Sequence, residues 1–315
     1  MPEDIEGTPL PPRRYAGFGA EQRDTGSTII PAMSSTSSGH PPGYLVIGHV
    51  SKDLTPQGPA LGGSAAYSGL TAAALGMHAA LVTSAGPDLD ISPLASLSLV
   101  LVPSPSSTCY QNQYTPHGRR QVLRSRARDL ALTAVPPEWR AAPIIHLAPI
   151  ADEVDPSLAG AFPGSFVGVS AQGWLRQWDQ EGNVQPKNWD GIKQWLPLPD
   201  AVVVSLEDLG DDEMAAASMS AHCRLLAVTE GAAGAVIYWN GDVRRVPAPQ
   251  AKEVDSTGCG DIFAAAFFVH LHRTRDPWEA ARFANYLAAL SVPRKGIAAV
   301  PTPEEAGRAQ WEVIP

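Results

Sequence analysis

KEVDSTGCGDIFAAAFFVHL, residues 252–271, sets a glycine turn and two aspartates against one of the most apolar runs in the chain. The run from Ile262 to Leu271 is apolar enough for a buried helix, yet it is entered through Gly258-Cys259-Gly260 and a carboxylate, Asp261. Two phosphate-binding patterns can be set aside. The third glycine of G-x-G-x-x-G is replaced by Phe263, and no Gly-Lys-Ser/Thr occurs anywhere. What remains is a glycine turn opening a helix, whose free N–H groups and partial positive charge form a ready anion site. An isolated Asp at a helix start is most often a cap. Here Asp255, Ser256 or Thr257 can serve as the cap. A bare amide cradle beside a carboxylate suits phosphoryl transfer to an alcohol: the amides hold developing charge and Asp261 accepts the hydroxyl proton. The base role is therefore favoured over the cap.

Working outward, residues 1–42 hold seven Pro, five Gly and five Ser without periodicity, a composition that predicts a disordered tail. From residue 43 to 315 the chain is expected to form one α/β domain. YLVIGH from Tyr44 is a short apolar run, followed after a loop by GGSAAYSGLTAAALG, which has helix formers and a glycine stop. AALVTS (79–84), PIIHLA (143–148), FVGVS (166–170), AVVVS (201–205) and RLLAVT (224–229) are further buried strands. Continuous apolar strands alternating with helices imply a mainly parallel sheet covered on both faces. TCYQNQYT (108–115) and RRQVLRSR (119–126) alternate like a hairpin, either a lid or an ordinary edge hairpin. A second hairpin spans 234–246 with Asn240-Gly241 as its turn.

The formal net charge is −9 and no block of Lys or Arg exceeds a pair, so nothing marks the chain for nucleic acid or an anionic membrane. Small-molecule partners are expected. Cys109, Cys223 and Cys259 are odd in number and far apart, which argues against disulfides or a thiolate zinc site and for a reducing compartment. No apolar segment reaches transmembrane length and the acidic start lacks signal-peptide character, so a soluble, cytoplasmic protein is expected.

DSTGCGD resembles the D-T-x-G-x-G-D motif of the ribokinase/PfkB family of carbohydrate kinases, and the likeness runs over about residues 44–300. Gly48, Asp53 and Gly62-Gly63, then SAAYSGLTAAALG and VTSAGPD, are similar to its N-terminal pattern; VTEGAAG (228–234) and FANYLAALS (283–291) are similar to its nucleotide-side segments. The resemblance implies a ribokinase-like α/β fold with a small β lid, built from about 50–60 and 106–128. It implies ATP and Mg2+ as cofactors and leaves a monovalent cation open. Asp261 would be the base and Gly258, Cys259 and Gly260 the anion hole. Thr229, Gly231 and Asn285 would lie on the ATP side. Asp53, Gly62, Gly63, Tyr67, Gln111 and Arg176 would face a sugar or polyol, with Asp53 accepting from its hydroxyls. Asp208, with Ser205, stands where the family has N-x-x-E, a pair tied to magnesium through water.

Three departures stand out. Tyr67 replaces a common Asn, which unsettles substrate preference. Cys259 replaces a small residue at a helix start, where a thiol's pKa tends to fall. GVSAQGWLRQWDQEGNV (168–184) puts Gln172 and Arg176 where relatives have D-x-N-x-R and, with YTPHGRRQ and HVSKD, resembles the branch of myo-inositol kinases. Inositol or a related polyol is the expected acceptor, with a nucleoside kinase or an inactive sugar-binding regulatory module as rivals. The assembly is expected to be a monomer or homodimer.

Overall fold

The computed structural model describes residues 33–34, 41–115 and 118–312. A ten-stranded sheet forms its centre. Its parallel part is β2 (Tyr44–Ile47), β5 (Ala79–Ala85), β6 (Ser98–Pro103), β9 (Ile144–Leu147), β10 (Phe166–Ser170), β13 (Ala201–Ser205) and β14 (Leu225–Thr229). At one end β1 (Met33–Ser34) pairs antiparallel with β6, and at the other β15 (Ala235–Trp239) and β16 (Asp242–Val246) form an antiparallel hairpin on β14. The spatial order is β1-β6-β5-β2-β9-β10-β13-β14-β15-β16.

The strands carry apolar residues on both sides because each face has its own core. Tyr44 and Val46 pack to one side, Leu45 and Ile47 to the other; Leu225 and Ala227 divide from Leu226 and Val228 in the same way. One face is covered by α1 (Ser64–Ala74), α3 (Cys259–Thr274), α4 (Pro277–Ser291) and α5 (Pro303–Glu312), the other by short 3-10 turns and α2 (Glu213–Ser220). In α3 every residue from Ile262 to Leu271 is buried, so its sequence shows no polar stripe. Gly168 lets this helix approach the sheet: a Cβ there would lie 2.6 Å from the Phe268 ring.

Apart from the sheet stands a four-stranded layer of β3 (Ser51–Thr55), β4 (Gly58–Gly62), β7 (Thr108–Thr115) and β8 (Gly118–Ser125), in the order β4-β3-β7-β8. SKDLT and GPALG, a loop by apolar pattern but part of the lid by the family resemblance, supply two of its strands, and SLVLVP forms the unexpected β6. β11 (Arg176–Trp178) and β12 (Val184–Pro186) make a small hairpin that touches β8 through the Leu123 N–H to Gly182 O bond of 2.8 Å and a Val122–Asn183 bridge. Of the stretch expected to be a tail, Met33–Ser34 form β1; residues 1–32 and 35–40 lie outside the described residues. No helix among the described residues is long and apolar enough to cross a membrane.

Candidate active site

The chain leaves β2 toward β5 and β6 on one side, then returns to β9, β10, β13 and β14 on the other. The crevice at the carboxyl ends of such strands is where α/β sheets bind ligands. A cavity of about 680 Å³ lies there, lined by Ser170, Ser205 and Thr229 from strand ends, by the start of α3, and by the lid residues Ser51, Asp53, Tyr110 and Gln121.

Asp261 occupies the first turn of α3 and faces this cavity. Burial pushes its carboxyl up to about 6, against the pull of the Ser64 hydrogen bond and the Arg176 charge, while Asp208 and Asp53 push the same way as burial. The Cys259 amide donates to Ser256 O and the Ile262 amide to Gly258 O, which leaves the Gly260 and Asp261 amides as the orphan donors of the helix start. No side chain caps α3. Its N-cap is Gly258 at φ 79°, and a Cβ there would stand 2.4 Å from the Tyr67 ring. Asp255 Oδ1 instead accepts the Thr257 amide at 3.0 Å, closing the turn upstream.

The double glycine has two separate causes. A Cβ on Gly62 would lie 2.1 Å from the Asp53 carboxylate, so Gly62 makes room for that group rather than lining the cavity. Gly63, at φ 90°, would drive a Cβ to 2.7 Å from His49 O and Ser51 N. Asp53 Oδ1 accepts the Ser51 hydroxyl at 2.8 Å. Tyr67 is 1% exposed, its hydroxyl has no partner among the described residues, and burial raises its pKa.

On the far wall, Thr229 and Gly231 line the cavity, with the Thr229 hydroxyl donating to Val204 O at 3.4 Å. Asn285 is buried and donates to Val246 O at 2.8 Å, so it anchors the exit of β16 as well as lining the cavity. Asp208 Oδ2 accepts the Ser205 hydroxyl at 2.7 Å, and Arg176 reaches Asp208 Oδ1 at 3.5 Å and Gln121 Oε1 at 3.1 Å.

Besides Gly62, two further expectations are corrected. Gln111 does not line the cavity: its Oε1 accepts Arg124 Nε at 2.9 Å and an Arg124 terminal amine at 2.7 Å on the exposed face. The pleat decides this, since Tyr110 and, across the ladder, Gln121 take the inner face. The Cys259 thiol does not fall; burial pushes it up to about 11, and its Sγ lies 3.6 Å from Ala288 O. Ser51, Ser64, Tyr110, Gln121 and Gln185 line the cavity without having been singled out as site residues. Only the inner-face parity of the lid hairpin could have signalled Tyr110 and Gln121.

The roots of the lid meet at one buried residue. His49 Nε2 donates to Arg128 O at 2.8 Å and its Nδ1 hydrogen-bonds the Thr108 hydroxyl at 2.7 Å. Beneath it the buried Glu153 accepts the amides of His49 at 2.9 Å and Ala151 at 2.7 Å, and that of Ile150 through both oxygens.

The profile of the pfkB family carbohydrate kinase matches residues 166–305. That stretch is similar to the pfkB family carbohydrate kinases. It is 29% identical to a fructokinase of Escherichia coli over 191 residues, 54% of this chain and 61% of that protein. A second fructokinase-like relative, from Arabidopsis thaliana, is matched over 41% of its length, so the chain spans less than two thirds of either. A cytidine kinase of Thermococcus kodakarensis is 28% identical over 76% of this chain and 91% of its own, and an inositol 3-kinase of Zea mays 29% identical over 41% and 34%. Among solved structures, a pyrophosphate-dependent kinase in the ribokinase family complexed with a pyrophosphate analog and myo-inositol superposes with TM-score 0.71 at 21% identity, covering 84% of this chain and 99% of that one. A fructokinase from Xylella fastidiosa with bound ATP gives TM-score 0.68 at 18% identity over 86% and 98%. The fold of this chain is ribokinase-like.

Proposed function

We propose that this protein transfers the γ-phosphate of ATP to a hydroxyl of a neutral polyol or sugar, with myo-inositol or a related cyclic polyol as the acceptor. The observation that carries the reading is one cavity whose lining includes the carboxylates of Asp53 and Asp261 together with the orphan amides of α3. Asp261 takes the acceptor's proton as its oxygen bonds to phosphorus, the bond from phosphorus to the leaving oxygen breaks, and the Gly260 and Asp261 amides meet the developing charge. Asp53 orients the acceptor through a neighbouring hydroxyl. Gln121, Gln172 and Gln185 offer neutral donors and acceptors to the rest of a polyol.

A divalent cation fits the donor wall only in a hydrated form. Among the described residues no three His, Cys, Asp or Glu are grouped to ligate one, and Asp208 already accepts Ser205 and faces Arg176. Asp208 would hold such an ion through water, with the donor's phosphates supplying direct ligands. Bound there, magnesium would neutralise phosphate charge. ATP is favoured as donor because the cavity continues past α3 to Gly231, Asn285 and Ala288, giving room beyond the phosphates. A nucleoside acceptor is disfavoured, since the Tyr67 ring is packed against Gly258 and has no free face for a base.

The test is a panel of polyols, sugars and nucleosides with ATP or pyrophosphate and magnesium. Inositol turnover with ATP is expected. Turnover of nucleosides alone, or with pyrophosphate alone, would replace the acceptor or the donor; none at all would favour an inactive binding module.

A further inference from the structure

A histidine interrupts the apolar run of β9. His146 pairs with Val46 of β2 on one side and Gly168 of β10 on the other, and it is fully buried. Its Nδ1 lies 2.9 Å from the Tyr44 hydroxyl and its Nε2 lies 2.8 Å from the Ser170 hydroxyl. Tyr44 is fully buried as well, whereas Ser170, at the end of β10, lines the cavity. Three side chains thus run in a hydrogen-bonded line from the interior of the sheet to the site. The rings of Phe268, at 4.9 Å and 81°, and of Tyr44, at 6.0 Å and 82°, meet the imidazole edge to face and hold its plane.

Counting donors fixes where each proton sits. Burial pulls the imidazole down to about 3 and pushes the Tyr44 phenol up, so at neutral pH the ring is uncharged and the phenol protonated. A neutral ring has one N–H and one lone pair. With the N–H on Nδ1, the Tyr44 oxygen would accept it and the phenol proton would be left without an acceptor among the described residues, a state that buried donors rarely adopt. With the N–H on Nε2, Tyr44 donates to Nδ1 and Nε2 donates to Ser170 Oγ, and both buried protons are matched. The second arrangement wins. It leaves one proton over, that of the Ser170 hydroxyl, which can no longer turn back to the ring and has only the cavity to donate to.

The place of Ser170 says what it would meet. β10 lies between β9, after which Ile150 joins the cavity wall, and β13, whose Ser205 begins the donor wall. Gln172, two residues on, faces the same cavity. Asp53 and Asp261 as carboxylates only accept, so a hydroxyl held by either gives its proton away and presents lone pairs that need a donor. We propose that Ser170 is a specificity-determining residue for the acceptor: locked as a donor by His146 and Tyr44, it requires an oxygen lone pair on the bound polyol or sugar, at a hydroxyl other than the one phosphorylated. This rests on the kinase reading above. His146 and Tyr44 are positioning residues that touch no ligand and move no proton. A methylene or an ammonium at that place on the acceptor has no lone pair to offer and is rejected.

The experiment has two arms. In the first, nitrogen NMR of protein labelled with 15N-histidine reads the ring directly, His146 being assigned by its loss in His146→Gln or, should that variant not fold, by contacts to the Phe268 ring. The Nε2–H form is expected, without titration from pH 5.5 to 8.5; an Nδ1–H form, or a ring that gains a proton in that range, would overturn the lock. The second arm uses the acceptor that the panel identifies and its monodeoxy analogues. Ser170→Ala should raise acceptor KM about 5- to 100-fold, the worth of a polar group left without its partner, with donor KM within threefold. One deoxy analogue should lose a similar factor with the unmodified protein and less than twofold with Ser170→Ala, and Ser170→Thr should recover most of the loss. A Ser170→Ala chain that fails to fold is replaced by Ser170→Cys, whose weak donor should show the same pattern. Acceptor KM within twofold, donor KM raised equally, or no deoxy analogue that couples to residue 170 would each overturn the assignment. Inactivity of the unmodified protein across the panel would instead strike the kinase reading, and the NMR arm would still decide the lock.

Discussion

Replacing Asp261 by Asn should make the protein more stable and nearly inactive at once. Burial raises the Asp261 carboxyl from 3.8 to about 6. Each pH unit is worth about 1.4 kcal/mol, so keeping this group ionised in the fold costs about 3 kcal/mol at neutral pH, an upper bound because the side chain faces an open cavity. The raised value means that the folded chain holds the proton more tightly than the unfolded one. Stability from this group is therefore fully present below about pH 4 and is lost as pH rises to about 6. Asn has no such proton to lose. Urea unfolding of D261N and the unmodified protein should give free energies that differ little at pH 4 and diverge to about 2–3 kcal/mol in favour of D261N by pH 7.5. In the same preparation kcat should fall about 10² to 10⁴, the usual worth of a general base, and the acid limb of kcat/KM in the unmodified protein should have its midpoint near pH 6. A D261N protein no more stable at pH 7.5 than at pH 4, relative to the unmodified one, would refute the argument that this carboxylate is held ionised against burial.

Three further outcomes are expected. D53N should raise acceptor KM about 10- to 100-fold, the worth of a hydrogen bond to a charged group, and leave donor KM within threefold; equal effects on both would remove Asp53 from the acceptor side. Gly258→Ala should lower the unfolding free energy by about 2–4 kcal/mol, since it forces a positive φ and a clash with Tyr67. Gly260→Ala, whose Cβ meets open space, should shift it by less than about 1 kcal/mol; equal losses would refute the packing account. Cys259, held at about 11, should be alkylated by iodoacetamide at pH 8 about 100-fold more slowly than in urea-unfolded chain, read by mass spectrometry. Alkylation at the unfolded rate would show the thiol unprotected.

The parallel sheet and the start of α3 were legible because they depend on local pattern: apolar runs of strand length, and a glycine turn ahead of a run too apolar to be anything but buried. The lid was half legible. TCYQNQYT alternates visibly, but SKDLT and GPALG carry charge, Pro and Gly, and become strands only because β7 offers them an edge. Gln111 was assigned to the wrong face, because an alternating strand shows that two faces exist but not which is inward; a register shift between Cys109 and Tyr110 adds to the difficulty. Cys259 was misjudged for a similar reason: the helix start is visible in the sequence, while the α4 backbone that buries its thiol is 29 residues away.

His49 gives the lid one pivot for two strands. Because the same imidazole bonds Thr108, where β7 begins, and Arg128, just after β8 ends, the roots of the hairpin cannot part without breaking one of these two bonds, and Glu153 fixes the peptide that carries the ring. If the four-stranded layer tilts as one plate about that point, much as a visor turns on its rivet, Gln121, paired with Asn112, sweeps farther than Asp53, which pairs with Tyr110 nearer the axle.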